Sequence, residues 1–187
     1  MVLILDEKTA LAIEEAIKVL ESGGVVIYPT DTLYGIGCDG TSAKAVTKVH
    51  SIKKSDLKKP LSVIMADPEM IMRYCEVDEG QKEEMKRKLP GPYTFILKSK
   101  EKIAAAGDSS KLGVRMPDNE FCLFLCKKFG KPIVSTSANL TGQKAPVSLD
   151  EVDKKVLEAV DLAIDGGKTR HKRPSEIIDL VEGKKVR

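Results

Sequence analysis

Three short stretches of this 187-residue sequence carry side chains that could do chemistry: residues 28–37, YPTDTLYGIG; residues 90–95, PGPYTF; and residues 133–142, IVSTSANLTG. Each joins an apolar run to small hydroxyl, amide or glycine residues. Hydroxyls and exposed backbone amides at strand ends hydrogen-bond phosphate or carboxylate oxygens, and open α/β sheets bind ligands at such edges. Any one stretch alone reads as a turn, because Ser, Thr, Asn, Gly and Pro are the usual turn formers. Three in one chain predict a shared polar cleft.

Other chemistries lack their parts. There is no GxxxxGKS or GxxxxGKT loop and no GxGxxG after the first strand, so nucleotide binding would take another route. The histidines are His50 and His171, and no GxSxG frames a serine, which argues against a serine-nucleophile hydrolase. His50 reads as ending or capping a helix. Asp31 and Asp39 could hold a metal or act as a base, but acidic residues beside glycines are common in loops, and the structural reading of both is preferred.

The elements that must position these stretches alternate between helix and strand, an α/β pattern, with no internal repeat or low-complexity linker. The length suits a single domain over residues 1–187. Helical spacing predicts helices over 7–22, 42–53, 68–74, 79–88, 118–129 and 148–160. The runs VVIY, LSVIM, GPYTFIL, LGVRM and KPIVS predict strands, and DLAID and SEIIDL are expected to close the sheet. Composition is 42% hydrophobic with no run near the roughly 20 residues of a membrane span, and the opening residues turn acidic too early for a secretory core. A cytoplasmic protein with no membrane partner is expected. Cys38, Cys75, Cys122 and Cys126 form no CxxC pair and read as core or half-buried thiols. The net charge is only +3, but basic residues bunch at 53–59, 86–88 and 168–173, so anionic partners are plausible where these segments meet.

The segments YPTDTLYGIGCD, IKKSDLKKPLSV, PGPYTFIL, LGVRMP, KPIVSTSANLTG and RPSEIIDL, in this order, resemble the YrdC-type L-threonylcarbamoyladenylate synthase family from about residue 10 onward. The resemblance implies a YrdC-like α/β fold, a twisted mixed β-sheet flanked by helices around a basic concave cleft. It implies a nucleotidyltransferase that makes threonylcarbamoyl-AMP and pyrophosphate from L-threonine, bicarbonate and ATP. That product would serve threonylcarbamoylation of adenosine in tRNA, through the tRNA threonylcarbamoyl-transferase machinery.

By the same resemblance, Thr30, Thr32, Thr94, Arg115 and Ser135 bind threonine, while Lys53, Lys59, Ser137, Asn139 and Arg187 bind ATP. Lys53 and Arg115 are the catalytic pair, Ser175 is a weaker match, and Gly35 and Gly37 let the backbone pass close to ligand. Mg²⁺ would come with ATP, with no metal ligand supplied by the chain. No covalent nucleophile is needed: a carbamate oxygen attacks the α-phosphate, and catalysis rests on positioning and charge.

The sequence departs from the family at Ser55, where an arginine is usual, at Ile64, where longer relatives carry histidine, and at Pro174-Ser175-Glu176, where PST is usual. Two rival readings remain. One is a non-catalytic module docking tRNA or double-stranded RNA mainly through phosphate contacts, since four Tyr, four Phe and no Trp offer few stacking platforms. The other is a carbamoyl-phosphate transferase or hydrolase, whose extra domains and zinc-finger cysteines are missing here.

Overall fold

The computed structural model describes residues 2–187. After β1 (Leu3–Asp6), Ala12, Ala16 and Leu20 fall on one face and form the buried side of α1 (Ala10–Glu21). The chain then turns through Gly23, whose φ of +73° suits glycine. The fully buried β2 (Val26–Pro29) and β3 (Tyr34–Gly37) follow as an antiparallel pair. The Ser42 hydroxyl caps α2 (Ala43–Lys53) by accepting from Ala45 N at 3.3 Å. Next come β4 (Val63–Ile64) and α3 (Pro68–Tyr74), started by Asp67 as cap with proline in the first turn. After β5 (Cys75–Glu76), Asp78 and Gln81 form a reciprocal capping box on α4 (Glu79–Lys88). The strands β6 (Tyr93–Ser99) and β7 (Lys111–Arg115) precede α5 (Glu120–Phe129), which Asn119 caps and a left-handed Gly130 ends.

The C-terminal part runs through β8 (Ile133–Val134), β9 (Thr136–Ser137), α6 (Lys154–Glu158), β10 (Leu162–Asp165), β11 (Glu176–Asp179) and β12 (Lys184–Lys185). The expected helix over 148–160 is instead a short 3-10 turn at Leu149–Glu151 and then α6. Asp153 is the reason: it accepts from Lys155 N at 2.8 Å, an N-cap that restarts the helix midway. The apolar spacing of Leu149, Val152 and Val156 survives that break, since all three remain buried.

The strands form two mixed sheets, not the one anticipated. One has the order β1-β10-β2-β3-β9; the other runs β12-β11-β6-β7-β4-β8, with β5 beside β6. Between β8 of the second sheet and β9 of the first stands Ser135, where the chain crosses from one sheet to the other. The seam is tight. A side chain at Gly37 would place its Cβ 2.1 Å from Val134 O, and Tyr28 donates its hydroxyl to that same carbonyl at 2.7 Å. Gly37 is therefore required for strand packing against protein, correcting the expectation that it opens a path for ligand. The four cysteines are free and buried, and no helix among the described residues is long and apolar enough to cross a membrane.

Candidate active site

The polar ends of the strands converge at this seam on a cavity of about 360 Å³. The turn between β2 and β3 supplies Thr30 and Thr32, and β3 supplies Gly35. The second sheet brings Thr94 from β6 and Arg115 from the end of β7, while the crossover brings Ser135 and Ser137. Lys53 reaches in from the last residue of α2, and Lys59, Asn139, Ser175 and Arg187 complete the expected set. All the residues implicated by resemblance, apart from Gly37, thus line one cavity. Four cations and no carboxylate are among its described lining residues.

Thr30 shapes the turn. Its hydroxyl donates to Leu33 O at 2.7 Å and accepts from the amides of Thr32 and Leu33 at 3.1 and 3.2 Å. That side chain-to-backbone bonding holds the following residues against the second sheet. Arg115, 7% exposed, donates from Nη2 to Asp31 Oδ1 at 2.8 Å and to Thr32 Oγ1 at 3.0 Å. Its Nε has no hydrogen-bond partner, and neither do Asp31 Oδ2 and Asn139 Oδ1, although all three atoms are buried. Unpaired buried polar atoms are costly, so the polar packing around Arg115, Asp31 and Asn139 is incomplete where these residues border the cavity. Across the cavity Thr94 and Ser175 share a 2.8 Å hydroxyl contact.

Lys53 is held differently. Its ammonium donates to the backbone carbonyls of Ser137 and of Asn139, the latter at 2.8 Å. Thr141 returns the contact, donating from its amide and its hydroxyl to Lys53 O at 3.0 and 2.9 Å. The loop after β9 is thereby latched to the end of α2. Burial first, and then the Lys59 charge, pull the Lys53 ammonium down to about 8. Burial and the Arg115 charge likewise lower the pKa of Arg187.

Two of the departures, Ser55 and Ile64, fall away from the cavity wall, while the third, Pro174-Ser175-Glu176, puts Pro174 and Ser175 on it. Ser55 lies against His50, Oγ to Nδ1 at 2.8 Å, after a left-handed Lys54 that ends α2. His50 is a buried residue of the last turn of α2; burial, helped by Lys53 and Lys59 against Asp56, lowers its pKa. Ile64 is fully buried in β4. Asp39 is structural as preferred, bonded to Thr41 and to Lys131. Asp31 is different, because it carries the carboxylate that orients Arg115. Its place in the YPTDT stretch was visible, but its partner lies 84 residues away and no local pattern pairs them. Ser62 and Thr141 also line the cavity and were not singled out; both sit inside the segments that carry the resemblance.

Known proteins match this chain along most of its length. The family model Sua5/YciO/YrdC, described as "Telomere recombination", matches residues 18–187. A candidate threonylcarbamoyl-AMP synthase of Methanocaldococcus jannaschii is 40% identical over 178 residues, covering 91% of this chain and 84% of that protein. The threonylcarbamoyl-AMP synthase of Vibrio campbellii is 32% identical, covering 89% of this chain and 92% of its own. The crystal structure of P. abyssi Sua5 complexed with L-threonine superposes with a TM-score of 0.91 at 30% identity, over 99% of this chain and 56% of that one, so the present chain spans little more than half of that protein.

Proposed function

The chain belongs to the Sua5/YciO/YrdC family, and on that premise we propose that it is an L-threonylcarbamoyladenylate synthase, a nucleotidyltransferase acting on L-threonine, bicarbonate and ATP. The observation that carries this reading is the cation-lined cavity that gathers Arg115, oriented by Asp31, with Lys53, Lys59 and Arg187 among threonine and serine hydroxyls. Arg115 and the hydroxyls of Thr32, Thr94 and Ser135 would take the carboxylate and side chain of threonine, a carboxylate being the natural partner of a guanidinium fork. Lys53, Lys59, Ser137, Asn139 and Arg187 would take the nucleotide.

The threonine amine, once deprotonated, bonds to the carbon of bicarbonate with loss of water, giving a carbamate. A carbamate oxygen then forms a bond to the α-phosphorus of ATP as the bond to pyrophosphate breaks. The chain's part is to hold the two ends in line and to offset phosphate charge with Lys53, Lys59 and Arg187. The donor set does not fit a resident Mg²⁺ site, because no carboxylate is among the described residues lining the cavity. We assign Mg²⁺ to the ATP substrate and route no step through it. The activated product would pass to tRNA threonylcarbamoylation.

The test is pyrophosphate release from ATP, with threonine and bicarbonate each omitted in turn, in the wild type and in Lys59→Ala. Release that needs both, and that requires several-fold more ATP in the variant, supports the reading. A folded protein that binds RNA but releases no pyrophosphate would favour the RNA-docking module instead.

A further inference from the structure

Beside the main cavity lies a second concavity of about 260 Å³, which shares Pro174, Ser175 and Arg187 with it as walls. Its other walls are Pro92 and Tyr93 at the start of β6, Arg173 from the basic run 168–173, Glu176 and Lys185. None of these five belongs to the site described above. Lys88 stands over the Tyr93 ring, its ammonium 4.6 Å from the centroid, at the rim. The charges are lopsided: Lys88, whose own partner is Glu84 at 3.7 Å, Arg173, Lys185 and Arg187 gather about the one carboxylate that lines the annex, Glu176. That carboxylate is already paired with Lys185 at 2.9 Å, and Lys185, then Lys88 and Arg173, hold its pKa below the usual range. With Lys88 and Lys185 each paired to a carboxylate, Arg173 and Arg187 leave a surplus of positive charge in a concave, partly enclosed space, where fields are focused and anions collect.

We propose that this annex is a second anion subsite, taking a phosphate-bearing group beside whatever fills the main cavity. Two sources share that chemistry: the polyphosphate end of a nucleotide reaching out of the main cavity, or a separate inorganic pyrophosphate. Arg187 stands at the junction of the two spaces and would touch both ligands. Glu176 acts as a gatekeeper, since it occupies Lys185 and repels an entering phosphate. The annex depends on its own charge and shape, not on the synthase reading, and direct binding tests the two apart.

Calorimetric titration uses the full chain with two probes, ATP alone and inorganic pyrophosphate added to ATP-saturated protein. The double variant Arg173→Ala/Lys185→Ala removes two side chains at the rim, Lys185 being 63% exposed, so the fold should tolerate it. Loss of two such contacts should weaken anion binding about tenfold. If the anion is separate, pyrophosphate still binds the ATP-saturated wild type and weakens in the double variant, while ATP affinity is unchanged. If the nucleotide itself reaches in, ATP affinity falls and saturated protein takes up no pyrophosphate. Glu176→Gln should shift whichever of these affinities is affected in the opposite direction, tightening it, which loss of folding could not mimic. The proposal is overturned if neither probe distinguishes the double variant from wild type, or if Glu176→Gln weakens binding. Should ATP not bind at all, the synthase reading fails, and pyrophosphate titrated into the free protein reads the annex by the same pair of variants.

Discussion

Arg115 and Lys53 are equally buried in one cavity, yet its two walls hold them in opposite ways. On the wall formed by the β2–β3 turn and β7, Arg115 has a fixed counter-charge in Asp31 and a second acceptor in Thr32. On the wall formed by α2 and the loop after β9, Lys53 has only backbone carbonyls and a like charge nearby in Lys59. The first arrangement keeps a guanidinium aimed before any ligand arrives. The second leaves the cost of a buried ammonium partly uncompensated, so an anionic ligand gains most on that side. A site divided in this way can hold a small carboxylate rigidly and still respond to phosphate.

Breaking the first wall should have the largest effect. Asp31→Ala strands Arg115 without a counter-charge, a change expected to cost about 3–5 kcal/mol of unfolding free energy. Urea denaturation of Asp31→Ala, Arg115→Met and the double variant forms a cycle that isolates the pair. The double variant should regain much of the stability lost in Asp31→Ala while showing no threonine-dependent pyrophosphate release. Additive losses in the cycle would mean that the pair is not coupled.

The second wall is sharpened by pH. The folded Lys53 titrates near 8, below the ordinary 10.5, so between those values the unfolded chain binds more protons. Stability contributed by this residue should therefore rise with pH across that window, by up to about 3 kcal/mol relative to Lys53→Met. Function should move the other way. Above about pH 8 the neutral amine no longer attracts phosphate, and KM for ATP should climb in the wild type but stay flat in Lys53→Arg. A KM profile that is the same in both proteins would remove Lys53 from the phosphates and leave it only its role in latching the loop.

The contrast between the walls also marks what the sequence could express. Periodicity was enough for α1, α2 and α5, because their apolar faces, and in α2 and α5 the Ser42 and Asn119 caps, are local signals. The polar stretches were legible as a cleft because hydroxyls, amides and glycines at strand ends are unusual company for buried runs. The pairing of β3 with β9, which splits the strands into two sheets at Ser135, depends on contacts about 100 residues apart and left no local mark. Asp31 and Arg115 were both visible singly, but the ion pair that joins them is a property of the seam. Likewise, the lysine of the IKKSDLKKP segment announces a charge, while the carbonyls that restrain it come from the STSAN loop.

Position 55 gives the finest comparison, since it asks whether a residue beside the second wall belongs to it. The resemblance puts an arginine here, and Ser55 reads as a lost phosphate contact. In the fold Ser55 bonds His50 and does not line the cavity, so its work is to close the end of α2 just after Lys53. Ser55→Ala should then lower unfolding free energy by about 1 kcal/mol, the usual net value of such a hydrogen bond. KM for ATP should stay within about twofold of wild type, because one neutral hydrogen bond outside the cavity moves Lys53 little. A larger rise in KM with stability unchanged would turn the assignment around and make the Ser55 hydroxyl a phosphate contact, extending the second wall past the end of the helix.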